Sequence, residues 1–247
     1  MMTTKKVALI TGANRGIGLE TAKQLGELGT TVIVTARHLP VAQETATQLK
    51  AQGIDAYGVQ LDVTKADERR AVASFIDEHF GKLDILVNNA GVAPKESLFI
   101  AKTLETTPEE FQYIFETNLF SVVYLTRELL PLIKKSKSGR IVNLSSILGS
   151  LSVHSQKDSP IAPYRILSYD ASKAALNLFT IFLAAELEGT GIKVNSAHPG
   201  WVQTEIGGYE HAPMSIVDGA KTSVDLALLD ANGPTGKFIH LGDELPW

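Results

Sequence analysis

The amino-acid sequence predicts an α/β domain, a doubly wound parallel sheet of seven strands with helices on both faces. Three observations lead there. Short apolar runs rich in branched residues alternate with helix-length amphipathic stretches, the pattern of a parallel sheet covered on both sides. A glycine turn joins the first strand-like run to the first helix-like one. The chain is 247 residues long and 44% hydrophobic, enough to fill one large core without a second domain, so residues 1–247 are read as one unit.

Val7-Ala8-Leu9-Ile10 forms the first strand and runs into Thr11-Gly12-Ala13-Asn14-Arg15-Gly16-Ile17-Gly18, then into a helix over residues 19–28. Strand, glycine turn and helix in that order bring backbone N–H groups and a helix N-terminus against a pyrophosphate. The glycines remove side chains that would block the approach. Their spacing is G-x-x-x-G-x-G, a departure from the G-x-G-x-x-G fingerprint, and the strand-before, helix-after context supports the same reading. Further strands are predicted at residues 31–36, 56–61, 83–87, 140–144, 193–197 and 237–241. Helical periodicity covers residues 39–51, 66–80, 109–134 and 169–188. The third of these follows Thr107-Pro108-Glu109-Glu110, which supplies a cap residue, a first-turn proline and early carboxylates. Residues 149–168, with Pro160 and Pro163, follow neither period. In such a sheet, ligands bind at the carboxyl ends of the strands.

Composition narrows the function. Formal charge is −4 with an isoelectric point near 5.9, and the Lys and Arg residues are dispersed, so neither nucleic acid nor an anionic membrane is favoured as partner. The chain has no cysteine, which excludes disulfides, thiol nucleophiles and thiolate zinc sites and is compatible with a cytoplasmic location. The start, Met1 to Lys6, leads into only four apolar residues before Thr11, too short for a signal-peptide core, and no stretch approaches a membrane span. The histidines, at 38, 79, 154, 198, 211 and 240, never fall at i, i+4 spacing, and no metal site is expected.

Chemistry enters with Ser168-Tyr169-Asp170-Ala171-Ser172-Lys173. Tyr169 and Lys173 stand four residues apart, which on a helix places a phenol beside an ammonium group. A fixed cation favours the phenolate and draws the phenol down from its usual pKa of about 10, toward the range useful for general acid-base work.

Seven motifs in order identify the chain as resembling the short-chain dehydrogenase/reductase family over essentially its whole length. They are Thr11-Gly12-x-x-x-Gly16-Ile17-Gly18, Leu61-Asp62-Val63, Asn88-Asn89-Ala90-Gly91, Thr117-Asn118-Leu119, Ser145-Ser146, Tyr169 to Lys173, and Pro199-Gly200 followed by Thr204. The resemblance implies a Rossmann-type domain and metal-free reversible hydride transfer between a nicotinamide cofactor and a carbonyl or alcohol. It implies a catalytic tetrad of Asn118, Ser146, Tyr169 and Lys173. Tyr169 protonates the carbonyl oxygen, Ser146 hydrogen-bonds that oxygen, Lys173 depresses the Tyr169 pKa and holds the nicotinamide ribose, and Asn118 holds a water that relays protons to Lys173. Ser146 is preferred because the second serine of the pair usually reacts in the family; Ser145 remains an alternative.

The same resemblance implies a cofactor site formed by Gly12, Asn14, Arg15, Gly16, Ile17, Gly18, Arg37, Asp62, Val63, Asn89, Ala90, Gly91, Tyr169, Lys173, Pro199, Gly200, Val202 and Thr204. The cofactor form follows from charge. Dinucleotide sites of this kind normally carry an acidic residue about 20 positions past the glycines to bind the ribose 2′-hydroxyl. Arg37 stands there, and Arg15 lies inside the glycine loop. A guanidinium grips a 2′-phosphate that a carboxylate would repel, so NADPH/NADP+ is expected. Asp62 is expected to cap the adenine side, and Asn89 to Gly91 to pass beneath the cofactor.

Within the family, Val34-Thr35-Ala36-Arg37, Leu83 to Gly91 and His198-Pro199-Gly200-Trp201-Val202-Gln203-Thr204 are most similar to carbonyl reductases. Ser146 and Tyr169 are 23 positions apart, longer than the family interval, so residues 149–168 are expected to contain an inserted loop. That loop either shapes the substrate mouth with Trp201 and residues 205–216 or lies over a surface that relatives use for oligomers; monomer and homo-oligomer both stay open. His198 is expected to be structural, and Trp201 either packs or touches substrate. The implied activity is NADPH-dependent reduction of a small-molecule ketone or aldehyde. A 3-oxoacyl thioester reductase or alcohol dehydrogenase, or a non-catalytic NADPH-binding regulator on the same fold, are the alternatives.

Overall fold

The computed structural model describes residues 5–94 and 102–247, so the Met1–Thr4 start lies outside the described residues. The strands are β1 (Val7–Ile10), β2 (Thr31–Ala36), β3 (Ala56–Gln60), β4 (Ile85–Asn88), β5 (Arg140–Leu144), β6 (Lys193–Ala197), β7 (Phe238–His240) and the two-residue β8 (Asp243–Glu244). They form one sheet in the order β3-β2-β1-β4-β5-β6-β7-β8. The first seven run parallel, as the strand-helix alternation predicts, and β8 adds an antiparallel edge. Strand order reverses direction between β1 and β4, which opens a crevice at their carboxyl ends.

The helices are α1 (Gly16–Glu27), α2 (Leu39–Ala51), α3 (Ala66–Phe80), α4 (Pro108–Phe115), α5 (Ser121–Lys134), the short α6 (Leu151–His154), α7 (Leu167–Glu186) and α8 (Ile216–Ala227). Alternation of strand side chains decides which helices lie where. Val7 and Leu9 point into a core completed by Val72 and Ile76 of α3, Leu125 and Leu129 of α5 and Leu183 of α7. Ala8 and Ile10 point the other way, onto Ala22 and Leu25 of α1, Ala46 and Leu49 of α2, and Val224 and Ala227 of α8. Both faces of β1 are therefore dry, and its four residues are all apolar because none meets water. Leu9 sits opposite Ile33 and Leu86 at the sheet centre, fully buried, and Leu9→Ala there should cost about 2–5 kcal/mol.

Two departures from the sequence reading affect the site. The helix expected over residues 109–134 is α4 and α5 separated by a π-type turn, Glu116–Phe120, that contains Asn118. The start of α4 agrees with expectation, because the Thr107 hydroxyl accepts the Glu110 N–H at 3.2 Å ahead of Pro108. Helix α8 was not anticipated. Its buried face joins small and polar residues, Gly219, Ala220, Thr222 and Ser223, to Val224, Leu226 and Ala227, an amphipathic pattern that the sequence reading passed over. Its capping signal is clear in retrospect: the Ser215 hydroxyl accepts the Asp218 N–H at 3.0 Å.

Candidate active site

The glycine turn follows β1 and enters α1. Gly16 has φ +56, a conformation that side-chain-bearing residues rarely adopt, and a Cβ there would meet only Thr204 Cγ2 at 3.6 Å. At Gly18 a Cβ would lie 2.4 Å from the Asn89 amide nitrogen and 2.6 Å from the Gly12 carbonyl, so backbone and side chain meet across that position. The turn is latched to the end of β4. Thr11 Oγ1 accepts the N–H groups of Asn89 and Ala90, both at 2.9 Å, and Asn89 Nδ2 donates to the Thr11 carbonyl at 2.7 Å. On the β2 side, the Ala13 N–H reaches the Thr35 carbonyl at 2.9 Å and the Gly12 N–H reaches Thr35 Oγ1 at 3.3 Å. Thr35 is two residues before Arg37, which is exposed at the end of β2; Arg15 is exposed on the glycine loop itself.

Other expected cofactor residues divide into two groups. Asn14 and Ile17 lie on the loop and the first turn of α1, Ala90 and Gly91 follow β4, and Thr204 faces Gly16. Pro199 precedes Gly200, whose φ of +89 turns the chain against Met214. Val63 and Val202, by contrast, are buried: Val63 belongs to the core beneath α3, and Val202 packs against Gly219 of α8. Neither presents its side chain to the crevice. The Asp62 carboxylate closes a local turn, accepting from the Thr64 N–H at 3.0 Å and the Thr64 hydroxyl at 2.7 Å.

Beyond the crevice, α7 presents Tyr169 and Lys173 on one face, with the Lys173 ammonium 5.6 Å from the phenol ring centroid. Lys173 Nζ donates to the carbonyl of Leu144, at the end of β5, at 2.8 Å. Ser146, two residues further, lies beside the Tyr169 phenol and caps a short 3-10 turn by accepting the Leu148 N–H at 3.2 Å. Ser145 points away, donating to Asn177 Oδ1 at 2.7 Å inside the protein. Of the two serines, only Ser146 is turned toward the phenol.

Asn118 closes the group from the π-type turn, an irregularity that often accompanies functional positions. Its amide pairs with the Val92 backbone, accepting N–H at 2.8 Å and donating to C=O at 2.9 Å, and it also donates to Ser172 Oγ at 3.1 Å. The side chain is thus a brace on the Gly91–Val92 backbone, which differs from the expected water-holding role. A Cβ on Gly91 would lie 3.4 Å from Asn118 Oδ1 and 3.7 Å from Lys173 Nζ, so the segment after β4 runs close beside both groups.

The electrostatics correct a second expectation. Burial pushes the Tyr169 phenol above its ordinary pKa, the neighbouring Asp170 carboxylate pushes it the same way, and only the hydrogen bond with Ser146 opposes them. Burial also brings Lys173 down to about 8. The nearby cation does not outweigh desolvation in this protein, and Tyr169 is held as the neutral phenol, the form that donates a proton.

Several neighbours surround this group. Tyr164, from residues 149–168, packs its ring 5.5 Å from that of Trp201, whose Nε1 donates to the Gly207 carbonyl at 2.7 Å. The same segment receives the C-terminus: Ser150 Oγ donates to the Pro246 carbonyl and the Ser152 N–H to that of Trp247, both at 2.7 Å. Asp170 accepts the Ile166 N–H at 3.1 Å and lies 3.5 Å from His154 Nε2; burial raises it to about 7. His198 Nδ1 accepts the Ile147 N–H at 3.2 Å, and burial beside His240 lowers it to about 3, a neutral structural imidazole in agreement with expectation. Among the described residues no group of His, Cys, Asp or Glu could hold a metal ion, and no helix is long and apolar enough to cross a membrane.

The crevice fits a dinucleotide on its own geometry: close backbone at Gly18, room at Gly16 bounded by Thr204, a helix N-terminus behind them, and two arginines with no carboxylate at position 37. Known proteins agree. A family model described as short chain dehydrogenase matches residues 6–214. Carbonyl reductase (NADPH) 1 of Bos taurus is 32% identical with all of both chains aligned. A 3-oxoacyl-(acyl-carrier-protein) reductase of Pseudomonas aeruginosa is 36% identical over 81% of this chain and 75% of that one. The NADPH-bound carbonyl reductase from chicken fatty liver superposes with a TM-score of 0.85 at 28% identity, covering 99% of this chain and 100% of that chain. A match over most of the length, on a fold whose crevice suits a dinucleotide, makes this chain a member of the short-chain dehydrogenase/reductase family, an oxidoreductase of carbonyl or alcohol groups.

Proposed function

We propose that the protein is an NADPH-dependent carbonyl reductase that converts a small-molecule ketone or aldehyde to an alcohol in the cytoplasm, using Asn118, Ser146, Tyr169 and Lys173. One observation carries the reading: Tyr169 and Lys173 share one face of α7 beside Ser146, with Lys173 Nζ donating to the Leu144 carbonyl at the carboxyl end of β5. Bound NADPH supplies the hydride. Tyr169 donates its proton to the carbonyl oxygen, a contribution typically worth ~10²–10⁴-fold in rate. Ser146 hydrogen-bonds the same oxygen, stabilising charge where it develops and fixing the substrate's orientation. Lys173, carrying its charge below about pH 8, supports the ribose hydroxyls and the replacement of the tyrosine proton. Asn118 holds the backbone at Val92, next to Gly91, close to Lys173.

Arg37 and Arg15 support NADPH over NADH, because two guanidiniums at the ribose end favour a 2′-phosphate. The experiment follows NADPH absorbance with a panel of aryl ketones, diketones, quinones and 3-oxoacyl esters, with Tyr169→Phe as control. Oxidation dependent on one of the first three classes and lost in the variant is the expected result. No oxidation by wild type on any of them would favour a non-catalytic NADPH-binding regulator. The similarity to the Pseudomonas aeruginosa reductase supports a second reading, a 3-oxoacyl thioester reductase, and turnover confined to 3-oxoacyl esters would select it.

A further inference from the structure

Arg15, one of the two arginines assigned above to the 2′-phosphate, is engaged elsewhere in the structure. Its guanidinium lies 2.6 Å from Glu205 Oε2. Glu205 belongs to a loop that is closed on itself: Val202 and Met214 bridge its ends, the Gly207 N–H donates to Thr204 Oγ1 at 3.2 Å, and Gln203 Nε2 donates to the Ala212 carbonyl at 3.2 Å. At its start, Thr204 faces Gly16 across the mouth of the crevice. The ion pair therefore spans the crevice from the glycine loop to this second loop. Both side chains stay exposed, Arg15 at 68% and Glu205 at 62%, so either can swing without disturbing the core.

We propose that Glu205 is a cofactor-selectivity residue: it occupies the Arg15 guanidinium in the free protein and surrenders it to the 2′-phosphate of NADPH. The inference rests on the NADPH reading above. Arg15 is sited for the exchange by its loop, since Gly12 and Ala13 are hydrogen-bonded to Thr35, two residues before Arg37, so the loop and the end of β2 adjoin. A dianionic phosphate with three acceptor oxygens outcompetes a single carboxylate for a guanidinium. NADH brings only a neutral 2′-hydroxyl to that end and leaves the pair intact. Competition with Glu205 thus weakens NADPH binding selectively, and the same exchange frees the 203–212 loop from the glycine loop only when the phosphorylated cofactor arrives.

The test is a binding titration of the full chain with NADPH and with NADH, read by nicotinamide fluorescence, for wild type, Glu205→Gln, Arg15→Gln and the double variant. An exposed ion pair is weak, so Glu205→Gln should tighten NADPH by a factor of about two to five while NADH changes by less than that. With Arg15 already replaced, Glu205→Gln should leave the NADPH affinity unchanged. Equal tightening of both cofactors would mean simple removal of a negative charge near the crevice and would overturn the proposal, as would an unchanged NADPH to NADH ratio. A wild-type protein without NADPH preference would instead overturn the cofactor reading itself, so the two failures are distinguishable. Thermal melting of each variant without cofactor checks that all four proteins are folded.

Discussion

The two sides of the crevice are built on different physical terms. On the first, from β1 to Gly91, the backbone makes the site: glycines admit close contacts, and the Thr11 hydroxyl and Asn89 amide tie the turn to the end of β4. On the second, from Leu144 to Met214, side chains make it, and they are buried titratable groups whose proton affinities have moved: Tyr169 upward, Asp170 to about 7, Lys173 to about 8 and His198 to about 3. A rigid backbone cradle binds a constant group, here a dinucleotide. A cluster of desolvated titratable groups carries out proton transfer and is expensive to keep folded. Substitutions on the first side should therefore weaken cofactor binding and stability together, whereas those on the second can separate activity from stability.

The largest expected effect is on the second side. Tyr169→Phe should lower the reduction rate by ~10²–10⁴-fold while leaving the NADPH dissociation constant within a factor of about two, as measured by steady-state kinetics and titration. Next comes the exposed end of the first side: Arg37→Asp should weaken NADPH by roughly 10- to 100-fold, with little change for NADH, and an unchanged ratio of the two constants would defeat the assignment of Arg37.

Smaller effects test the cradle. Gly18→Ala forces a Cβ into the Asn89 amide and should cost ~1–3 kcal/mol in denaturant unfolding, together with cofactor affinity. Thr11→Val strands the N–H groups of Asn89 and Ala90 and should cost ~1–3 kcal/mol. The last test is a pH signature on the second side. The folded-state pKa of Asp170 is raised to about 7 from 3.8, so the stability it contributes is full below the lower value and is lost as pH rises through the upper one. Asp170→Asn removes that loss. Its melting temperature should exceed that of wild type at about pH 8 and not at about pH 4, and a gain of the same size at both would contradict the burial of a charged Asp170.

Sequence legibility followed the same division. The glycine spacing, the seven parallel strands and the Tyr169–Lys173 pairing were readable because turn chemistry and the 3.6-residue and two-residue periods are local properties. Helix α8 was legible too, since Ser215 and Asp218 carry its cap and Val224, Leu226 and Ala227 its apolar face, but the first half of that face, Gly219 to Ser223, is small and polar. The π-type turn at Asn118 and the Thr11 latch were missed because both depend on partners far along the chain, Val92 and Asn89. The sign of the Tyr169 shift was missed for a related reason. The i, i+4 spacing reveals the lysine but not the depth of burial, and burial decides the outcome. Glu205 had no local signal at all; only the fold brings it to Arg15.

The transferred atom gives the most direct test of the central claim, that Tyr169 and its neighbours reduce a carbonyl with hydride from NADPH. The protein is incubated with an aryl ketone and NADPH deuterated at the reactive nicotinamide carbon, and the alcohol is analysed by mass spectrometry. The account predicts one deuterium on the carbinol carbon with wild type and background levels with Tyr169→Phe. Equal amounts of deuterated alcohol from both proteins, or none from wild type under conditions where NADPH binding is measured, would contradict it.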